Sequence, residues 1–271
     1  MSGYILSFTI FFKNQTKLAK LIDKSLFISG VFIGLLLLNA LTSKFALLPV
    51  LYFPSFSRVQ GVFVLDRKIL LECVISSAKL LAIGVVGGTL VGLITGIGIG
   101  FSKRVNYWLG PLLRVLGPIP STAWVPLALV IFPSALQASA FLIGLAVWFP
   151  VTLMTSSGIF NISQSYFEAG ATLGANQFDK IFKIGIPAAM PHIFLGLFNG
   201  TCASFITLIT AEMVGAKRGI GWYINWQKEM LSYANVYAGL LLIAVLFSLL
   251  ITLLFKGRDH LLGWQKGMVK W

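Results

Sequence analysis

The sequence predicts an all-α integral membrane protein with about six transmembrane helices. Of its 271 residues, 57% are hydrophobic and only 11% are charged, whereas soluble domains carry about 25% charged residues. The apolar residues are gathered into runs of membrane-spanning length, separated by polar connections. The interior of a soluble fold of this size is too small to bury so many apolar side chains, so the surplus must face lipid.

Six runs are long and apolar enough to be read as spans, since a helix needs about 20 residues to cross the hydrocarbon core. The third and fourth runs are separated only by Pro133 and Ser134, which predicts a tight turn between them. The membrane domain is therefore predicted to cover residues 26–256. The runs within it are 26–42, 74–101, 110–133, 135–159, 188–214 and 234–256.

Residues 1–25 are predicted to form an amphipathic segment on the membrane surface, because lysines alternate there with apolar residues at helical spacing. A disordered basic leader is the alternative. The leader is too long for a cleaved signal peptide and the small-residue cleavage pattern is poor, so the first run is expected to remain as an anchor. Residues 43–72, which contain prolines, are predicted to lie at the outer surface, and residues 257–271 to form a C-terminal tail.

The basic residues predict the orientation. With six spans both ends lie on the same side, and twelve of the 21 Lys and Arg residues fall on that side, against seven on the other. Because cytoplasmic connections carry an excess of Lys and Arg, both termini are predicted to be cytoplasmic. The net charge of +13 is explained in this way. No basic stripe interleaved with aromatics indicates a nucleic-acid partner.

The sequence offers no catalytic or metal-binding cluster. Cys73 and Cys202 lie at or inside apolar runs, and His192 and His260 are far apart, so neither a disulfide framework nor a metal site is predicted. No G-x-x-x-x-G-K-[ST] phosphate-binding loop occurs, so the chain is not expected to hydrolyse ATP itself. The groups needed for an intramembrane enzyme, a nucleophile paired with a base or a metal cluster, are absent as well.

The second run carries glycines in a four-residue period, which lays them along one helical face. Small residues allow another helix to approach closely, and this is how helices associate in lipid. We therefore predict a packing surface, with a gating hinge as the alternative. The glycines are Gly84, Gly88, Gly92, Gly96 and Gly100.

The connection at residues 160–187 is too polar to span a membrane and too patterned to be a passive loop. Ser165 and Glu168 have the spacing of a capping box, which predicts the start of a short helix. Gly174 can end that helix because glycine accepts the left-handed conformation of a tight exit.

A second short helix is predicted to begin at Asn176. Its Phe178, Ile181 and Phe182 fall on one side at helical spacing, and Pro187 marks the return to the membrane. The connection is thus predicted to be a cytoplasmic helix-turn-helix with an apolar ridge, a surface typical of protein contacts.

These residues resemble the EAA motif of ATP-binding-cassette importer permeases. That motif reads E-A-A, three residues, G, nine residues, I-x-L-P. The chain has Glu168-Ala169-Gly170, then Gly174, then Ile184-Gly185-Ile186-Pro187, and both spacings match. Gly170 stands in place of the second alanine and Ile186 in place of the leucine.

Further motifs are similar to those of the nitrate/sulfonate/taurine/bicarbonate group of these permeases. Residues 119–127, Ile-Pro-Ser-Thr-Ala-Trp-Val-Pro-Leu, resemble the third-span signature of the group. Ala211-Glu212-Met213 followed by Gly219-Ile220-Gly221 is also similar. Phe132-Pro133 departs from the Phe-Gly turn that is usual there.

The resemblance implies the type I importer permease fold in a bacterial cytoplasmic membrane, with a cytoplasmic coupling helix. As partners it implies a second copy of the permease, two ATP-binding-cassette ATPase subunits and an extracytoplasmic substrate-binding protein. It also implies that ATP and Mg²⁺ bind to the ATPase and that this chain binds no cofactor. The solute it implies is a small anion such as nitrate, bicarbonate, a sulfonate or taurine. A vitamin precursor or another small organic solute is the alternative. By the same resemblance, the residues that couple to the ATPase are Glu168, Ala169, Gly170, Gly174, Phe178 and Pro187.

Polar residues along the fifth run are candidates for the translocation pathway. Asn199, Ser204 and Thr207 supply amide and hydroxyl groups through an otherwise apolar run, and hydrogen bonding between helices is the alternative role. Glu212, near the outer end of the run, can shape solute entry. It can equally cap a helix or pair with Lys217 and Arg218.

Two cations inside the runs have simpler interpretations. Lys79 is expected to reach the outer headgroups, and Arg114 to anchor the inner end of the third run. A stand-alone secondary transporter would require inverted repeats and a charge relay at mid-membrane, and the sequence has neither.

Overall fold

The computed structural model describes residues 51–263. The predicted amphipathic segment 1–25, the predicted span 26–42 and most of the predicted tail lie outside the described residues. The chain divides into two units, residues 1–62 and residues 63–271, and the boundary falls within the helix Phe56–Leu65.

The described residues form helices joined by short connections, with no strand among residues 51–263. They include a short 3₁₀-helix, Ser121–Trp124, and a π-helical segment, Lys180–Gly185. The α-helices are α1 (Phe56–Leu65), α2 (Arg67–Phe101), α3 (Lys103–Leu116), α4 (Val125–Ile131), α5 (Ala135–Phe160), α6 (Gln164–Thr172), α7 (Gln177–Asp179), α8 (Ile186–Gly215), α9 (Ile220–Glu229) and α10 (Tyr233–Leu261).

Four helices in the described part are long and apolar enough to cross a membrane. They contain the predicted runs 74–101, 135–159, 188–214 and 234–256, so a helix is confirmed at each of these four positions. The helix that contains the second run begins earlier than predicted, at Arg67. The four are Arg67–Phe101, Ala135–Phe160, Gln177–Gly215 and Tyr233–Leu261.

The prediction of one continuous span over residues 110–133 is wrong. Helix α3 ends at Leu116, the next helical segment begins at Ser121, and the two are bent by 84°. Pro118 and Pro120 lie in the break, and proline has no N–H to continue a helical hydrogen-bond ladder. Counting this bent pair as one broken span gives up to five spans in the described residues. The tight connection after it is confirmed, because α4 ends at Ile131 and α5 begins at Ala135.

The glycines of α2 pack against α5, as the four-residue period predicts. A Cβ atom on Gly88 would overlap with the Gly144 carbonyl oxygen, and one on Gly96 would lie 2.7 Å from the Cβ of Thr155. The α5 residues that meet the glycines recur with the same period and in the same order along the chain, so the two helices run in the same direction. They are Ile143, Val147, Val151, Thr155 and Ile159.

Helix α8 packs closely against α5 as well. A Cβ on Gly200 would lie 3.2 Å from Val147, and one on Gly158 would lie 2.7 Å from the Cβ of His192. Residue numbers fall along α8 as they rise along α5, so these helices are antiparallel. Helix α5 therefore contacts α2 and α8 over most of its length, and small residues allow both contacts.

Replacing Gly88 by Ala should separate α2 from α5. The added methyl group would collide with the Gly144 carbonyl oxygen, and overpacking of this kind costs about 1–3 kcal/mol. We expect a lower midpoint of thermal unfolding for Gly88→Ala in detergent.

Gly87→Ala is the matched control, because nothing lies within 4 Å of a Cβ at that position. Both substitutions gain the same helix propensity, about 1 kcal/mol, so the control should be neutral or slightly stabilised. Equal unfolding midpoints for the two variants would contradict the packing described above.

Candidate functional site

The connection at residues 160–187 contains the first predicted short helix, now α6. It begins after Ser163, whose side chain makes no capping hydrogen bond to the helix, although its Oγ lies 2.8 Å from the Oγ of Ser165. The predicted capping box of Ser165 and Glu168 is therefore wrong, because Ser165 already lies inside the first turn. The Glu168 side chain is exposed and has no hydrogen-bond or ion-pair partner within residues 51–263.

The end of α6 has the predicted left-handed glycine. Gly174 has φ +79°. The Gly174 N–H donates to the Ala171 carbonyl at 3.0 Å, and the Ala175 N–H donates to the Gly170 carbonyl at 2.9 Å. This pair of bonds is a Schellman motif, which satisfies the free carbonyls of the last turn and fixes the direction of the exit.

The second predicted helix begins at Asn176, as expected. The Asp179 N–H donates to Asn176 Oδ1 at 2.8 Å, and the Asn176 N–H donates to Asp179 Oδ2 at 3.3 Å, so the capping box lies here. Helix α7 continues through the π-helical segment into α8, and Gln177–Gly215 forms one helix of 39 residues. Pro187 therefore lies at the start of α8 rather than at a break.

The loop is attached to two of the long helices at their common end. The ring of Phe167 meets that of Phe101 edge to face, with centroids 6.2 Å apart, and Phe101 belongs to α2. A Cβ on Gly170 would lie 2.5 Å from Ile184 Cδ1, so the glycine that replaces alanine in the motif leaves room for Ile184. Helix α6 thus rests on the end of α2 and on the segment that leads into α8.

The opposite side of the loop presents an exposed apolar surface. Leu173 at the turn is 87% exposed and Phe178 is 64% exposed. The rings of Phe178 and Phe182 stack with centroids 4.3 Å apart. The predicted ridge is present, with Ile181 half-buried beneath it.

A cavity of about 210 Å³ lies at the bend between α3 and α4. The hydroxyl groups of Ser121 and Thr207 meet on its wall, with their oxygens 2.6 Å apart. Thr122 adds a third hydroxyl, while Trp148 and Phe149 supply aromatic walls. The bend that hydropathy did not predict therefore brings polar residues of two elements into one small cavity.

The structure does not bring the predicted pathway residues together. Thr207 lines the cavity at the bend. Ser204 is fully buried and donates to the Thr201 carbonyl at 2.7 Å, whereas Asn199 is exposed on α8. Neither Ser204 nor Asn199 lines that cavity.

Trp148 belongs to the cavity and was missed by the sequence analysis. Its Nε1–H donates to Thr95 Oγ1 at 3.1 Å, and the hydroxyl oxygens of Thr95 and Thr152 lie 2.8 Å apart. These contacts tie the indole to α2 and fix its orientation beside the cavity. The sequence indicates these contacts only by placing Trp148 and Thr152 one helical turn apart, on one side of α5.

Glu212 caps a helix, one of the interpretations the sequence left open. Its carboxylate is 1% exposed. Oε1 accepts from Ser77 Oγ at 2.7 Å, and Oε2 accepts from the Gly221 N–H at 2.8 Å. Ser77 Oγ in turn accepts from the Ile220 N–H at 2.8 Å. The first turn of α9 is thereby held against α2 and α8, and no ion pair within residues 51–263 involves Glu212.

A second polar cluster holds the same end of the bundle. Tyr223 Oη donates to Asp66 Oδ2 at 2.7 Å, and Asn235 Nδ2 donates to the same oxygen at 2.7 Å. Burial raises the pKa of the Tyr223 hydroxyl, and the hydrogen bond to Asp66 acts in the same direction, so the hydroxyl remains a donor near neutral pH. The cluster joins α9 to the starts of α2 and α10.

Comparisons with known proteins agree with this architecture. Residues 88–262 match the family model described as "Binding-protein-dependent transport system inner membrane component". The chain is 32% identical over 184 residues to the putative aliphatic sulfonates transport permease protein SsuC of Bacillus subtilis (strain 168), covering 68% of this chain and 67% of that protein. It is 32% identical over 161 residues to the taurine transport system permease protein TauC of Escherichia coli (strain K12), covering 59% of this chain and 58% of that protein.

A solved structure of the MetNI methionine ABC transporter in an inward-facing conformation is similar to this chain. The TM-score is 0.60 at 18% sequence identity, and the match covers 71% of this chain and 96% of that chain. At this identity the likeness shows that the two chains share a fold.

Replacing Glu212 by Ala should destabilise the end of the bundle at which α9 lies. The substitution leaves the buried Gly221 N–H without its acceptor and Ser77 without its carboxylate partner, and an unsatisfied buried group costs about 1–3 kcal/mol. Glu212→Gln should cost less, because the amide keeps one acceptor oxygen. Thermal unfolding in detergent measures both losses.

Glu229→Ala is the control, since Glu229 is exposed at the end of α9 and accepts a hydrogen bond only from Asn225 within the described residues. It should leave the unfolding midpoint nearly unchanged. A Glu212→Ala variant as stable as this control would contradict the capping role.

Proposed function

This chain belongs to the family of binding-protein-dependent transport system inner membrane components, and we propose that it couples ATP hydrolysis on a separate subunit to import of a small sulfonate or related anion. Membership of the family makes it a transport permease subunit of an ATP-binding-cassette importer and an integral membrane protein. The partners, the solute and the orientation in the membrane are proposals.

The loop at residues 160–187 is proposed to dock onto the ATPase, and its exposed ridge is the observation that carries the proposal. Apolar side chains as exposed as Leu173 and Phe178 on a polar loop fit a protein partner. The loop is also stiff, because the Schellman motif and the Asn176–Asp179 capping box fix both sides of its turn. A stiff element transmits a displacement that a floppy one would absorb.

The route for that displacement runs through the loop's own contacts. Gln177–Gly215 is one helix, so a displacement of Phe178 also displaces α8. The contact between Phe167 and Phe101 transmits the displacement of the loop to the end of α2. Both helices pack against α5, and the cavity lined by Thr207 and Trp148 lies between α5, α8 and the bend.

Orientation and further partners follow from this arrangement. The ATPase acts in the cytoplasm, so the loop and both termini lie on the cytoplasmic side, in agreement with the excess of basic residues there. An external binding protein then delivers solute to the end where α9 is held by Glu212. Ile206 lines the small cavity and is 65% exposed, so we propose that a second copy of the chain completes the passage.

The names of the two relatives support a sulfonate as solute, since SsuC is named for aliphatic sulfonates and TauC for taurine, itself a sulfonate. The Thr122 hydroxyl can donate a hydrogen bond to a sulfonate oxygen, whereas Ser121 and Thr207 bond to one another and Thr207 Oγ1 also donates to the Ala203 carbonyl at 3.0 Å.

Leu173→Ala and Gly174→Val should both uncouple the loop from the ATPase. The first removes an apolar side chain that is 87% exposed, so the fold should be unaffected while binding weakens. The second places a β-branched residue at φ +79°, which costs about 1–2 kcal/mol and distorts the turn. We expect less ATPase subunit to copurify with each variant, and less hydrolysis stimulated by loaded binding protein.

Gly174→Asn is the matched control, because asparagine tolerates the left-handed conformation. It should retain more ATPase than Gly174→Val does. Full ATPase stoichiometry and full stimulated hydrolysis in both Leu173→Ala and Gly174→Val would exclude this loop as the coupling element.

A further inference from the structure

Three cavities follow one another along the bent segment formed by α3 and α4. The first is open and measures about 710 Å³, the second about 290 Å³, and the third is the cavity of about 210 Å³ at the bend. Asn106 and Arg114 line both the first and the second, while Phe149 lines both the second and the third. The cavities therefore form a series from the loop end of the bundle to the hydroxyl groups of Ser121 and Thr207.

The side chains along this series carry charge of one sign. Lys103 and Arg114 line the first cavity, Arg114 also lines the second, and no Asp or Glu among residues 51–263 lines any of the three. Arg114 is exposed and forms no ion pair within residues 51–263. A cleft with charge of one sign and low-dielectric walls concentrates ions of the opposite sign by about 10-fold or more.

Arg114 shares one face of α3 with Gly110 and Asn106. A Cβ on Gly110 would lie 2.9 Å from Asn106 Oδ1 and 3.9 Å from a guanidinium nitrogen of Arg114. The absence of a side chain at Gly110 therefore leaves the space between Asn106 and the guanidinium of Arg114 open. The planar donors of a guanidinium match the paired oxygens of a sulfonate or carboxylate.

We propose that Arg114 selects the charge of the solute, by binding its anionic group where the series opens at the loop end of the bundle. The inference rests on the proposed function, in which this chain forms the passage. It assigns to Arg114 a role beyond that of a membrane anchor. In the anchor role the guanidinium would instead contact a lipid phosphate, and the experiment below separates the two.

The test uses the whole importer in liposomes, with the chain, its ATPase and its binding protein, and follows ATP-driven uptake of labelled methanesulfonate and taurine. Arg114→Gln should lower uptake at least about tenfold, while copurifying ATPase stays at the wild-type ratio. Arg114→Lys, which keeps the charge, should retain most of the uptake. Arg104→Gln is the matched control, because Arg104 is exposed on the same helix and lines none of the three cavities.

Each assay is run in phosphatidylcholine alone and in phosphatidylcholine with phosphatidylglycerol. A loss in Arg114→Gln that is equal in both lipids supports the solute role. Wild-type uptake in Arg114→Gln, an equal loss in Arg104→Gln, or a loss confined to the anionic lipid would overturn it. A wild-type complex that hydrolyses ATP without taking up either probe would instead overturn the proposed solute, and the assignment to Arg114 with it.

Discussion

The close packing of α5 between α2 and α8 is the constraint on which the rest of the structure depends. In lipid, apolar side chains gain little by leaving the acyl chains for another helix, so association relies on close contact and hydrogen bonds. The glycines of α2 and the small residues of α5 and α8 provide that contact along both interfaces. Once these three helices are fixed, Thr207 on α8 meets Ser121 at the bend and Trp148 on α5 meets Thr95 on α2. The end of α2 and the segment that leads into α8, on which the loop rests, also lie at one end of the bundle.

The two ends of the bundle are held by different kinds of contact. At one end Glu212 and Ser77 hold α9 in place, and Asp66 holds Tyr223 and Asn235. At the other end the loop contacts α2 through aromatic rings and joins α8 through a continuous helix. The small cavity lies between these two ends. In the proposed function, the ATPase acts at the loop end and this cavity is part of the passage.

Features that depend on neighbours in sequence were predictable, and features that depend on distant neighbours were not. Hydropathy gave the long helices, the four-residue period gave the glycine surface, and Gly174 gave the turn. The bend is an exception, because Pro118 and Pro120 are local signals that a hydropathy average over the run does not register. Trp148 was missed because its partner Thr95 is 53 residues away. The role of Glu212 stayed open because Ser77 is 135 residues away.

We propose that this chain moves solute only when another subunit hydrolyses ATP. The most direct measurement is uptake of a labelled sulfonate into proteoliposomes that contain the chain alone, the chain with its ATPase, or both with the binding protein. We expect accumulation only in the complete system and only with ATP inside the compartment that holds the ATPase. Solute uptake or exchange by the chain alone, without ATP, would contradict it and identify a stand-alone transporter.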